Sequence, residues 1–220
     1  MSYLLHIDTA VTSASICLSE KDQPLLEKAN PHQKDHAAWL HPAIHALMKE
    51  AGISLSQLSA IVVSSGPGSY TGLRVGMSAA KGLCYALNKP LILVNTLQMM
   101  AAAAQGSADG LLCPMIDARR MEIFTAIYDN KLQQIMQPRN MIVTENSFLS
   151  ILQENSITFF GNGYPKLKDI LAHPNSRFLN IEHSAKHLTG LGFSLFKLQQ
   201  FADLAYAEPF YGKEFYTPQS

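Results

Sequence analysis

A surplus of charge of either sign is missing from this sequence. Lys+Arg and Asp+Glu both number 17, and charged residues make up 15% of its 220 residues. A protein that grips nucleic acid with its own surface usually carries a basic excess, so any RNA substrate is expected to be held mostly by something else. Cysteine is scarce. Cys17, Cys84 and Cys113 each sit in an apolar run and none forms a CxxC pair. That excludes a disulfide framework and a thiolate zinc site, and it predicts reduced, buried thiols. Long apolar runs are absent too: none approaches the roughly 20 residues that span a bilayer. Tyr3-Leu4-Leu5-His6-Ile7 enters a strand with no basic segment before it. No signal peptide and a cytoplasmic location are therefore expected.

What the chain does have is apolar content for a core: 47% of its residues are hydrophobic. That is enough for one large domain or two small ones. Strand-like runs cover 3–7, 14–19 and 25–28, with a hydroxyl-rich link at Thr9–Ser13 that predicts a hairpin. Leu40, Ala43, Ile44, Leu47 and Ala51 share one face of a helix over 35–51, with Gly52 as its stop and with Pro42 implying a kink or a later start. A strand over 60–64, a helix over 71–87, a strand over 91–94 and a helix over 96–105 follow. Gly106-Ser107-Ala108-Asp109-Gly110 is the clearest linker signal. Beyond it lie strands at 111–116 and 122–128 around the turn Asp117-Ala118-Arg119-Arg120. Then come a helix near 144–154, a strand at 156–160 and a last helix over 184–203. The expected organisation is an N-terminal half, 1–105, and a reduced C-terminal half, 106–220, each opening on strand, Asp, turn, strand. Three strands before any helix favour mixed sheets in an α/β fold.

The most specific segment is Ser65-Gly66-Pro67-Gly68-Ser69-Tyr70-Thr71-Gly72-Leu73-Arg74-Val75-Gly76. It joins a strand to a helix, where bare backbone N–H groups suit an anion. Its spacing misses the dinucleotide fingerprint by one residue, and no Gly-Lys-Ser/Thr follows as in a P-loop. A phosphate cradle and a plain helix-launching turn both remain open on this pattern. In the helix itself, Gly72, Gly76, Ala80 and Cys84 form a row of small residues. Leu73, Met77, Ala80, Cys84 and Leu87 form an adjacent apolar row, leaving Arg74, Ser78, Lys81 and Tyr85 as a polar stripe. The apolar arc is nearly twice the width one docked face needs, so the helix is expected to be packed from two sides. His32, His36, His41 and His45 lack a third ligand or an HExxH spacing and are expected on a solvated face. Asp8 and Asp117 end strands ahead of turns, where capping or catalysis would each place a carboxylate.

On these residues the chain resembles the bacterial TsaB (YeaZ) family. The matching pieces are Ile7-Asp8-Thr9-Ala10, the SGPGSYTGLRVG run, Lys89-Pro90 with the strand to Asn95, Ile116-Asp117-Ala118-Arg119 with Glu122-Ile123, and Glu208-Pro209-Phe210-Tyr211. The resemblance implies an actin-like, Hsp70-like, sugar-kinase fold. It implies a non-catalytic subunit that binds a TsaD-like catalytic partner and supports threonylcarbamoyl transfer to adenosine 37 of tRNA. A TsaE-like ATPase would act through the complex, tRNA would be met indirectly, and no membrane is involved. ATP and metal are expected on the partner, so no cofactor and no metal are expected here. Thr96 and Met100 stand where TsaD-like enzymes carry two metal-binding histidines, and neither offers imidazole ligation. Partner contact in the family runs through the two N-terminal-half helices. This places Leu40, Ala43, Ile44, Leu47, Gly72, Leu73, Gly76, Met77, Ala80 and Cys84 at the expected interface, with a homodimer when the partner is missing. A bulky residue at Gly76 or Ala80 is then expected to block binding without unfolding the chain. Asp8, Thr9, Gly66, Gly68 and Ser69 are expected as a vestigial anion or nucleotide site. The alternative is an enzyme, either an actin-like ATPase or a peptidase.

Overall fold

The computed structural model describes residues 1–32 and 35–212. Its first sheet takes β1 (Tyr3–Asp8), β2 (Ala14–Glu20), β3 (Gln23–Asn30), β4 (Leu58–Ser64) and β5 (Leu91–Val94), in the order β3-β2-β1-β4-β5. β1 runs antiparallel to β2 and parallel to β4, and β4 runs parallel to β5. The second sheet takes β6 (Leu111–Asp117), β7 (Glu122–Tyr128), β8 (Gln134–Ile142), β9 (Ile157–Phe160) and β10 (Ser176–Phe178). Its order is β8-β7-β6-β9-β10 with the same sequence of antiparallel and parallel pairs. The two halves thus repeat one topology.

Helices α1 (His36–Ala51) and α2 (Tyr70–Leu87) cover one face of the first sheet. Strand side chains alternate with period two, so Leu5, Ile7, Ile16, Leu18, Ile61 and Val63 meet these helices. The intervening Leu4, Cys17, Ala60, Val62 and Ile92 face the other way. There they pack on a 3-10 turn (Ala185–Leu188) and α6 (Thr189–Lys197), which return from the end of the chain. Both faces are covered, which is why these strands read as continuous apolar runs. Helix α3 (Thr96–Ala104) lies between the halves. Its Leu97, Met100, Ala101 and Ala104 pack with Leu112, Ile116, Phe124 and Tyr128 of the second sheet.

The second half is reduced where the first is built up. The helix near 144–154 is only the single turn α4 (Leu149–Leu152), because Phe148 at φ 67° breaks the chain direction before it. Where α2 follows β4, only α5 (Pro165–Lys168) follows β9. The last helix is also shorter than the pattern implied. It ends at Lys197, Gln199 turns at φ 54°, and Ala202 then bridges to Leu91 at the edge of β5. β8, α5 and β10 had no counterpart in the sequence reading. Pro42 lies inside α1, and Gly52 closes that helix at φ 67° as expected.

One core residue makes stability depend on pH. His6 is fully buried, its Nε2 lies 2.8 Å from Ser19 Oγ, and burial pushes its imidazole down to about 3. The folded state keeps it neutral, while the unfolded chain takes up a proton below about 6.5. Its contribution is complete above that value and fades as pH falls toward about 3. At pH 5 the loss is about 2 kcal/mol, at 1.36 kcal/mol per unit. Urea unfolding at pH 7 and pH 5 checks this: the wild type should lose about that much more than His6→Gln. Equal pH dependence in the two proteins would contradict it.

Candidate functional site

The glycine turn forms where β4 ends and α2 begins, against the β1–β2 hairpin. Asp8 Oδ1 accepts the Ala10 N–H (3.0 Å) and the Ser64 hydroxyl (2.6 Å). The Thr9 hydroxyl donates to the Gly72 carbonyl (2.7 Å), and the Ser69 N–H donates to the Ala10 carbonyl (2.6 Å). Gly66 N–H donates to Thr96 Oγ1 (3.1 Å), and Thr96 N–H donates back to the Gly66 carbonyl (2.8 Å). Ser69 Oγ caps α2 by accepting the Gly72 N–H (3.3 Å). The structure therefore brings Asp8, Thr9, Gly66, Gly68 and Ser69 together, but around one another. The Gly66, Ser69 and Gly72 amides are engaged by the chain itself.

The glycines give room for the protein's own backbone. A Cβ at Gly66 would strike the Phe210 carbonyl, one at Gly68 the Ala10 carbonyl, and one at Gly72 the Thr9 carbonyl. Gly66 also sits at φ +114°, a region that L side chains avoid. Phe210 N–H donates to the Ser65 carbonyl (2.7 Å), so the segment around 210 lies across the turn as a strap. Lys81 Nζ holds that strap by donating to the Ala205 (3.3 Å) and Ala207 (3.0 Å) carbonyls.

The expected interface residues need a correction. Leu40, Ala43, Ile44, Leu47, Gly72, Leu73, Gly76, Met77, Ala80 and Cys84 are all buried within the chain. The small row of α2 meets the hairpin: a Cβ at Gly72 or Gly76 would run into Thr9. Of the apolar row, Met77, Ala80, Cys84 and Leu87 pack with the sheet and α1, while Leu73 joins the core between the halves. The helix is packed from two sides, yet both are internal. A bulky residue at Gly76 would disturb the fold itself, so it cannot serve as a clean interface test.

The outward face is the polar stripe and its neighbours. Tyr70, Thr71, Arg74, Ser78, Gly82 and Tyr85 of α2 are exposed, Tyr85 at 84%. Beside them Ala37, Ala38, His41 and Ala46 are exposed on α1. Between the two helices runs an open groove of about 600 Å³, floored by Leu40, Val75 and Ala79. Arg74 lines it with its guanidinium 4.1 Å from the Tyr70 ring centroid, and its Nε donates to Tyr211 Oη (3.0 Å). The signal available in sequence was Gly82, a small residue inside an otherwise polar stripe.

The remaining candidates are structural in this fold. Thr96 and Met100 are fully buried, Thr96 in the hydrogen bonds above and Met100 in the core between the halves. His41 and His45 are exposed as expected, but His36 is buried near Asp8. Burial lowers its pKa, only partly offset by the Asp8 charge. Among the described residues no group of three His, Cys, Asp or Glu could hold a metal. Asp117 Oδ1 accepts the Arg119 N–H (2.6 Å) and a Lys166 Nζ proton (2.7 Å), closing the β6–β7 turn. Burial raises its pKa, but the Lys166 hydrogen bond, the Arg119 amide and the charges of both side chains outweigh it and leave a net lowering. The three thiols are buried, and burial pushes each up to about 12.

A family model described as "TsaD: tRNA N6-adenosine threonylcarbamoyltransferase" matches residues 30–210. The tRNA threonylcarbamoyladenosine biosynthesis protein TsaB of Bacillus subtilis is 34% identical over 164 residues, 72% of this chain and 70% of that protein. The chain belongs to the TsaB family. TsaB of Escherichia coli is 33% identical over 57% of this chain, but that match spans only 54% of the relative's length. A crystal structure from Pseudomonas aeruginosa, of an uncharacterized protein with similarity to peptidase YeaZ, superposes with a TM-score of 0.85 at 24% identity. That overlay covers 97% of this chain and 100% of the other. The activator of the 2-hydroxyisocaproyl-CoA dehydratase from Clostridium difficile superposes with a TM-score of 0.52 at 8% identity, covering 90% and 97%. With the repeated sheet topology, these likenesses show a fold of two α/β halves with mixed sheets. Among the described residues no helix is long and apolar enough to cross a membrane.

Proposed function

We propose that this chain is a non-catalytic, activating subunit for threonylcarbamoylation of tRNA adenosine 37, working by heterodimerisation with a TsaD-like catalytic subunit. The observation that carries this reading is the α1–α2 groove. Its lining mixes small residues (Ala37, Ser78, Ala79, Gly82) with Leu40, Val75 and an arginine held by Tyr70 and Tyr211, which suits helices from another protein. Family membership supports the pathway. The use of Thr96 and Met100 as packing residues supports the absence of a catalytic metal on this chain. ATP and metal then belong to the partner, a TsaE-like ATPase acts through the complex, and most of the tRNA is held there too. Without its partner the chain pairs with itself through the same face. The reaction is cytoplasmic.

The competing reading is an enzyme built on Asp8 and the glycine turn. Asp8 is 1% exposed, with one carboxylate oxygen already accepting two internal hydrogen bonds. Co-purification with the cognate TsaD-like protein, together with ATP calorimetry on the isolated chain, separates the two readings. The proposal expects a stable heterodimer and no micromolar ATP binding by the chain alone. Micromolar ATP binding with turnover lost in Asp8→Asn would establish the enzyme instead.

A further inference from the structure

On the opposite face of the first sheet lies a second groove, of about 580 Å³, between α3, the β7–β8 turn and α6. Three lysines from three separate elements converge on it: Lys131 from the turn, Lys186 from the 3-10 turn and Lys197 from α6. Asp22 is the lone carboxylate in its lining. The ion pairs among the described residues lie elsewhere, at Lys28–Glu50, Lys166–Asp117 and Arg177–Asp109. The charges of the chain balance as a whole, and none of these three lysines is in an ion pair with a described residue, although Glu27 Oε1 accepts the Lys186 N–H (3.4 Å), so positive charge predominates locally.

The lysines stand on fixed supports. Asp129 Oδ1 accepts the Lys131 and Gln133 N–H groups (both 2.8 Å), and Gln105 Nε2 ties the same turn to α3 by donating to the Asn130 carbonyl (2.9 Å). Lys197 Nζ lies 5.2 Å from the Phe193 ring centroid, which restrains it and covers that aromatic face. His187 stays neutral, lowered by burial and by Lys186, so the positive charge is the lysines' own. Lysine-rich and with the Phe193 ring already under Lys197, the groove suits a phosphate backbone better than a free nucleotide.

We propose that this groove binds the phosphodiester backbone of RNA, and so gives the subunit a direct contact with the tRNA that its partner modifies. The proposal rests on the functional reading above. Because α1 and α2 lie on the other face of the sheet, a partner docked there leaves the groove open. Sequence reasoning missed it because Lys131, Lys186 and Lys197 are far apart in the chain.

The test is a triple variant, Lys131→Gln, Lys186→Gln and Lys197→Gln. Fluorescence anisotropy measures tRNA binding across a salt series, for the chain alone and for its complex with the TsaD-like protein. Three phosphate contacts predict a fall of about 2–3 in the log–log salt slope and roughly a tenfold loss of affinity near physiological salt. Co-purification with the partner should be unchanged. Equal affinity and slope for variant and wild type overturn the proposal, as does lysine-dependent binding of ATP with no lysine-dependent binding of RNA. Failure of the wild type to form the heterodimer overturns the functional reading alone, since RNA binding by the isolated chain is read separately.

Discussion

Gly72→Val is expected to leave no stably folded protein. The glycine lies in the first turn of α2, where the helix touches the β1–β2 hairpin, and a Cβ there would meet the Thr9 carbonyl oxygen. The obstacle is backbone, which cannot rotate aside as a side chain can. Thr9 is held in place from both directions: its hydroxyl donates to the Gly72 carbonyl, and a Cβ at the next small position, Gly76, would strike the same hydroxyl. Moving the hairpin would also disturb the Ser69–Ala10 hydrogen bond and the Asp8–Ser64 pair. Strain of this kind belongs to the rare substitutions that cost more than about 4 kcal/mol. Set against a total stability of about 5–15 kcal/mol, that removes much or all of it. Circular dichroism and thermal melting of the purified variant check the result. Cooperative unfolding within about 4 °C of the wild type would contradict it.

Gly82→Trp should do the reverse, sparing the fold and removing partner binding. Gly82 is also in α2, but it is exposed, and a Cβ there meets nothing within 4 Å. A glycine in a helix interior is less favourable than most residues by up to about 1 kcal/mol, so the isolated variant should be at least as stable as the wild type. The indole, however, would project from the wall of the α1–α2 groove into the space that the proposed partner would fill. A blocked interface centre is expected to lower affinity by at least about 100-fold, or about 2.7 kcal/mol. Titration calorimetry with the TsaD-like protein measures it. An unchanged melting temperature with unchanged affinity would mean that the partner docks elsewhere.

These two glycines mark what the sequence made legible. The helix, its start at the glycine turn and the abundance of small residues were all readable. The direction each residue faces was not. An apolar arc twice the usual width states that two neighbours exist, but it does not name them. Here one is the sheet with α1 and the other is the hairpin carrying Thr9, sixty-three residues upstream of Gly72. The exposed surface is the part that looked ordinary, Arg74, Ser78 and Tyr85 with Gly82 among them.

The first half was legible element by element because β1, β2, β4 and β5 are buried on both faces and the elements are punctuated by glycine and proline. The second half was less so for identifiable reasons. β8 is an edge strand, half exposed and carrying Pro138, and its pairing with β7 is interrupted by register shifts. β10 pairs over three residues only, too few for a pattern. The strap near Phe210 was recognisable by resemblance, but its position across the glycine turn came only from the folded chain.

Reconstituted threonylcarbamoylation of tRNA by the TsaD-like and TsaE-like proteins, supplied with an activated threonylcarbamoyl donor, tests the central claim most directly, run without this chain, with the wild type and with Gly82→Trp. The account predicts modification with the wild type and none, or only a trace, in the other two reactions. Full modification without the chain, or with Gly82→Trp, would contradict it.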